Sequence, residues 1–251
     1  MNAISKPVLN IFAISHFCEK ARWTLDYFDM DYDVSYLAPG LHMVFSKKLK
    51  LPATALPILI ANGEVVQGSS QIIDWAEEQN PESGKSLDPS SDIEKCLEIE
   101  KRLDDVAGVH VRRIYYSEAL ISYPDKVRQV FSNDLTFLNK MALRGFWAMV
   151  RKQMIKMMDL GSEQRKESKS ILEDELDWLH GLLSDGRAYL SGDKFSRVDL
   201  TAASLLSPLA VPKEHPVYSP ETMPPQMASD QQLWHDRPSI EWVRGMYSRY
   251  R

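Results

Sequence analysis

The sequence predicts a mixed α/β unit followed by an all-helical domain, and three observations carry that prediction. Over the first 80 residues, short apolar runs and segments of helical period follow one another in the order βαβαββα. A stretch rich in Pro, Ser, Gly and Asp at 81–91 then breaks the pattern. From Asp92 onward good strand signals stop, and apolar residues recur at helical spacing. The expected boundaries are an α/β unit at 1–80, a linker at 81–91, and a helical domain at 92–251 with a Pro-rich C-terminal extension.

Pro7 to Ile14 is apolar and rich in strand formers, and Phe17, Ala21, Trp23, Leu25 and Phe28 then repeat at helical spacing. Tyr32 to Leu37 alternates apolar and polar residues and stops at Pro39-Gly40, before a Lys-rich helical stretch near Val44 to Leu51. Pro57 to Ala61, Asn62-Gly63 and Glu64 to Gln67 read as a hairpin, because Asn-Gly readily supplies the two positive φ angles of a tight turn. Ser69 and Ser70 offer capping hydroxyls to a helix that carries Ile72, Ile73, Trp75 and Ala76 and ends at Asn80-Pro81.

Beyond the linker, helices are expected over Ile93 to Tyr116, Lys126 to about Leu160, Glu163 to Leu183 and Leu200 to Ala210. Ser196 stands three residues before Asp199, a variant of the reciprocal capping box, and starts the last of these as a buried helix. Pro208 to Arg237 reads as an irregular wrap packed through Tyr218 and Trp234.

The chain is 44% hydrophobic and 26% charged, which excludes disordered and fibrous classes. A net charge of −5 supplies no general attraction for phosphate backbones, so nucleic acid is not an expected partner. No apolar run is long enough to span a bilayer and Met1 to Pro7 does not read as a secretion signal, so no membrane partner and a cytoplasmic location are expected. Two cysteines, Cys18 and Cys96, make no disulfide framework. The dispersed histidines show no paired ligand spacing, and no metal is expected.

The chemistry concentrates at Ser15-His16-Phe17-Cys18, where the first strand hands over to the first helix. A helix start presents unpaired N–H groups and the positive end of the helix dipole, so a thiolate placed there is stabilised, together with any hydroxyl aimed at it. Ser15 is placed for this role. Cys18 is the competing group, in the position of the second cysteine of a Cys-x-x-Cys pair whose first cysteine is replaced by Ser15.

Ser15-His16-Phe17 with Arg22 resembles the glutathione S-transferase superfamily of the cytosolic, serine-type kind. Leu56-Pro57, Ser69-Ser70 ahead of Ile73, and the Ser196 to Asp199 box resemble further segments of that superfamily, in the same order. The resemblance implies a thioredoxin-like N-terminal fold, glutathione as cosubstrate and a homodimer. It also implies a cis bond before Pro57, with Phe17, Leu56, Pro57, Gln67, Ser69 and Ser70 around the peptide. Ser70 would take the γ-glutamyl carboxylate, and Gln67 would replace the acidic residue that many members carry before this serine, where Ser69 stands here.

Three functions follow as expectations. The first is transfer of an alkyl or aryl group to glutathione, a detoxification chemistry, with Ser15 holding the thiolate and a small, mostly apolar electrophile against Tyr115, Tyr116, Phe146, Trp147 and the nearby methionines. Lowering a thiol pKa by about two units takes roughly 2.7 kcal/mol, within reach of one hydrogen bond to a charged group plus a helix dipole. The second is thiol transfer or lysis through Cys18. The third is a non-catalytic binding protein of the same fold.

Overall fold

Two apolar residues per strand suffice to bury β1, Val8–Ile11, because its neighbours cover it on both edges and leave Leu9 and Ile11 fully inaccessible. In the computed structural model, which describes residues 6–79, 84–89, 92–219 and 223–251, β1 is followed by α1, His16–Tyr27. Next come β2, Asp33–Tyr36, and α2, Leu41–Lys48, the latter starting three residues earlier than the sequence suggests. The hairpin is β3, Ile58–Ala61, and β4, Glu64–Gln67, and α3 is Ser69–Gln79. The predicted order βαβαββα is therefore the observed one. The expected stop at Asn80-Pro81, and most of the linker expected at 81–91, lie outside the described residues.

The sheet order is β2-β1-β3-β4, with β1 parallel to β2 and antiparallel to β3. The hairpin turn is Asn62-Gly63, with φ of 51° and 86°, as a primed turn requires. Helices α1 and α3 pack on one another and bury Ala21, Trp23, Leu25, Ile72 and Ile73. The result is a thioredoxin-like sheet and helix arrangement.

The chain divides into two compact units. The first holds residues 1–86 together with 125–152, and the second holds 87–124 and 153–251. Helix α4, Ile93–Arg102, runs through a π-helical segment, Leu103–Gly108, into α5, Val109–Ser122. The single helix expected from Lys126 to about Leu160 is two helices, α6, Pro124–Ser132, and α7, Phe137–Met157. Asn133-Asp134 makes the break, and Thr136 Oγ1 then accepts from the Asn139 N–H at 3.4 Å as a new start. Within the first unit, the Phe131 ring of α6 meets Phe12 edge-on at 5.6 Å.

In the second unit, α8 is Ser162–Leu183 and α9 is Arg197–Ala210, every residue of which is buried. Pro208 removes a donor from the last turn of α9, and the Ser207 hydroxyl supplies a replacement by donating to the Ser204 carbonyl at 2.8 Å. The irregular wrap expected from Pro208 to Arg237 contains a helix instead, α10, Pro225–Trp234, followed by α11, Pro238–Tyr250. Proline is tolerated in the first helical turn, and the buried Glu118 carboxylate accepts from both the Gln226 and Met227 N–H groups at 2.9 Å, closing the start of α10. Tyr218 and Trp234 are buried as expected. No helix among the described residues is long and apolar enough to cross a membrane.

Candidate functional site

Ser15 takes the N-cap of α1 with φ −83° and ψ 121°, and its Oγ accepts from the Cys18 N–H at 3.4 Å. That distance is at the long end of an N–H···O bond, so the cap is weak. Ser15 is half-buried. Cys18, one turn on, is 1% exposed, and burial pushes its thiol up to about 11, against opposing hydrogen bonds from Ser15 and the Phe12 backbone. Cys96, in the second unit, is likewise a buried free thiol. Phe17 is half-buried, with its ring 4.7 Å from that of His16, and His16 is sealed in rather than solvent-facing.

The Leu56-Pro57 peptide bond is cis. The Pro57 carbonyl accepts from the Gly68 N–H at 3.0 Å, which ties this corner to the end of β4. Gln67 stands opposite Ile58 in the hairpin, and its Nε2 donates to the Ala53 and Ala55 carbonyls, both at 2.9 Å. The amide nitrogen is thereby committed to holding the loop before Leu56, and Oε1 remains the acceptor end of the side chain.

Helix α3 begins at Ser69, so both serines lie in its first turn and the position before the helix falls on Gly68, at φ 107°. Ser69 is buried, while the half-buried Ser70 accepts through Oγ from Lys20 Nζ at 2.9 Å. Lys20 is fully buried. It delivers a cation from α1 to the N-terminus of α3, where free N–H groups and the helix dipole already favour an anion. Sequence reasoning missed this residue, although Lys20 and Thr24 share a helix face and the Thr24 hydroxyl donates to the Lys20 carbonyl.

His42 Nδ1 accepts from the Gly40 N–H at 3.0 Å, and burial lowers its pKa, leaving a neutral ring edge-on to Phe12 at 4.8 Å. Tyr32 donates to Asp26 at 2.8 Å and also faces Arg22.

The remaining candidates fall in two places. Tyr115 and Tyr116 are buried in α5 with rings edge-on at 5.0 Å, and burial pushes the Tyr115 phenol up to about 12. In the first unit's part of α7, Trp147 is buried and Phe146 is 59% exposed. Arg113 pairs with Asp159 and Glu167, and His110 meets Ser168 at 3.0 Å, so both serve the helical unit's own structure. The second unit also holds a cavity of about 910 Å³ between the ends of α9, α10 and α11, lined in part by Val211, Tyr218, His235 and Arg244, which no sequence signal indicated. Among the described residues, no group of His, Cys, Asp and Glu is arranged to hold a metal ion.

This architecture, a four-stranded thioredoxin-like domain with a helical partner, defines the glutathione S-transferase fold. The family model described as glutathione S-transferase, N-terminal domain, matches residues 9–84, so the thioredoxin-like part of the chain is a domain of that family. Similar solved structures include the β-etherase LigF from Sphingobium sp. strain SYK-6, at 20% identity and TM-score 0.58, covering 95% of this chain and 98% of that one. Glutathione transferase GSTFuA3 from Phanerochaete chrysosporium is 15% identical at TM-score 0.66, covering 99% and 98%. URE2P8 from the same fungus, solved with oxidized glutathione, is 14% identical at TM-score 0.58, covering 99% and 97%. No curated protein matches the chain by sequence.

Proposed function

We propose that the chain is a glutathione transferase in which Ser15 holds the glutathione thiolate. The observation that carries this reading is the contrast at the start of α1: Ser15 is only half-buried, and Cys18 one turn on is buried with a raised thiol pKa. In the cycle, the glutathione thiol gives its proton to solvent, and Ser15 O–H and the α1 dipole stabilise the thiolate. The sulfur lone pair then forms a C–S bond at an electrophilic carbon: in a substitution the leaving group departs with the electrons of the bond it breaks, and at a conjugated carbonyl the π pair moves to the carbonyl oxygen and solvent protonates the enolate. Ser15 forms no covalent bond.

The peptide's backbone is held by Leu56 next to Pro57. Its γ-glutamyl carboxylate meets the first N–H groups of α3 at Ser69 and Ser70, with the Lys20 charge behind Ser70. Gln67 Oε1 accepts from the ammonium group. The second substrate of this reading is a small, mostly apolar electrophile, in a cytoplasmic enzyme.

The test is turnover with haloarenes, conjugated carbonyls and aryl ethers, the last because a β-etherase is among the similar structures. Alongside it, the ultraviolet absorbance of bound glutathione thiolate is titrated with pH. The expected thiol pKa is about two units below its free value, returning toward that value in Ser15→Ala. Unchanged turnover and titration in a folded Ser15→Ala would remove the assigned role.

A further inference from the structure

Helix α7 carries a charge opposite to that of the whole chain. Lys140, Arg144, Arg151, Lys152 and Lys156 stand between Phe137 and Met157 with no acidic residue among them, in a protein whose net charge is −5. Lys140, Arg144 and Lys152 are exposed and form no ion pair among the described residues, Lys140 donating to the Asn133 carbonyl at 3.0 Å. Lys140 with Arg144, and Lys152 with Lys156, are like charges one helical turn apart. Such pairs weaken a helix, so α7 keeps them against its own stability.

The apolar residues of α7 fall on two opposite faces. Leu143, Trp147 and Val150 are buried, whereas Leu138 is 77% exposed, Phe137 75%, Met149 65% and Met141 53%. With 3.6 residues per turn, the four exposed residues share an arc of about 140° with Ala142, Gly145 and Ala148, and no polar side chain interrupts it before Lys152. Lys140, Arg144 and Arg151, spaced i, i+4 and i+11, line one edge of this arc.

We propose that this face lies flat on an anionic lipid surface, with Phe137, Leu138, Met141 and Met149 at the acyl boundary and the cations among the headgroup phosphates. The aliphatic stems of Lys and Arg cover apolar surface while their charged heads stay in the polar layer, which is the arrangement that a row of cations beside an apolar stripe permits. A protein groove that takes a basic amphipathic helix receives its apolar face, as here, but also curves around its flanks. In α7 the inner face is already packed on its own domain, so a flat partner suits the outer one. No membrane partner is expected from the sequence, because no apolar run spans a bilayer, but lying on a surface makes no such demand.

Cosedimentation of the full chain with lipid vesicles tests the proposal. Binding is expected to vesicles of phosphatidylcholine with about a third phosphatidylserine, to fall as salt is raised, and to be lost on phosphatidylcholine alone. Each cation near such a surface contributes about fivefold in affinity, so Lys140→Ala with Arg144→Ala is expected to weaken binding by about 25-fold. Leu138→Ser with Met141→Ser, both at exposed positions, is expected to weaken it by about tenfold or more, and circular dichroism establishes that both variants keep the fold. A polarity-sensitive fluorophore on Met141→Cys locates the contact, since native Cys18 and Cys96 are both buried, and its emission is expected to shift to the blue on anionic vesicles. A wild type that stays free of anionic vesicles at low salt overturns the proposal, as does binding that both paired substitutions leave unchanged, or a fluorophore that reports water throughout. A blue shift without lipid as protein concentration rises would assign the face to another copy of the chain and also overturn it.

Discussion

Helices α1 and α9 each have a serine at the N-cap, and the two serines have opposite surroundings. Ser196, ahead of α9, is fully buried: its hydroxyl donates to Asp199 at 2.7 Å, and Asp199 also accepts from the Ser196 N–H at 2.9 Å and the Leu190 N–H at 2.7 Å. Ser15, ahead of α1, is half-buried, and its hydroxyl accepts one long cap bond. The same residue type in the same position of a helix is thus fully enclosed in one place and only partly covered in the other. Capping chemistry is local, and the difference lies in what the rest of the fold brings to each site.

The sharpest way to break this comparison is Asp199→Ala. It strands the Ser196 and Leu190 N–H groups and a hydroxyl in a water-free place, and is expected to lower unfolding stability by about 4 kcal/mol. The check is the urea midpoint at constant slope; a loss under about 1 kcal/mol would show that water replaces the carboxylate.

A pH series sharpens it further. Burial raises the Asp199 carboxyl to about 6 from its usual 3.8, so between these values the folded state holds a proton that the unfolded state has released. Its contribution to stability is greatest below pH 4 and falls as pH rises through 6, by up to about 3 kcal/mol. In Asp199→Asn that part of the slope is expected to vanish, measured as the difference in midpoint between the two proteins at each pH.

At the open site the order of effects reverses. Ser15→Ala is expected to cut kcat/KM by about 10- to 100-fold, the loss of a hydrogen bond to a thiolate, while the weak cap changes stability by no more than about 1 kcal/mol. Comparing both quantities on one preparation separates a ligand-holding hydroxyl from a structural one. The smallest effect is expected beneath it. With its thiol at about 11, Cys18 is ionised to about one part in ten thousand at neutral pH, so the native protein should gain no carbamidomethyl mass there under iodoacetamide. Rapid labelling would reopen Cys18 as the reactive group.

Much of the α/β unit was legible because its signals are short-range. Asn62-Gly63 needs only its own backbone preferences to turn, and Ser15 and Ser196 mark helix starts by reach to the next turn. Other features have partners far away in sequence. Lys20 meets Ser70 fifty residues on, and Glu118 caps α10 from more than a hundred residues away, so neither Lys20's burial nor the helix inside the Pro-rich segment can be read from local pattern. The break between α6 and α7 was overlooked for a different reason. Helical periodicity continues across Asn133-Asp134, and only the turn chemistry of those two residues interrupts it.

By itself, the sequence determined the element order of the first domain, the helical class of the second and the residue types at the start of α1, since propensity, period and capping act within a few residues. Tertiary structure decided which of those groups meets solvent. It exposed Ser15 and buried Cys18 one turn away, sealed Ser196 under α9, and left one face of α7 bare. Burial sets both the accessibility of a group and the free energy of its charge, and burial is fixed by contacts between segments that are distant in the chain.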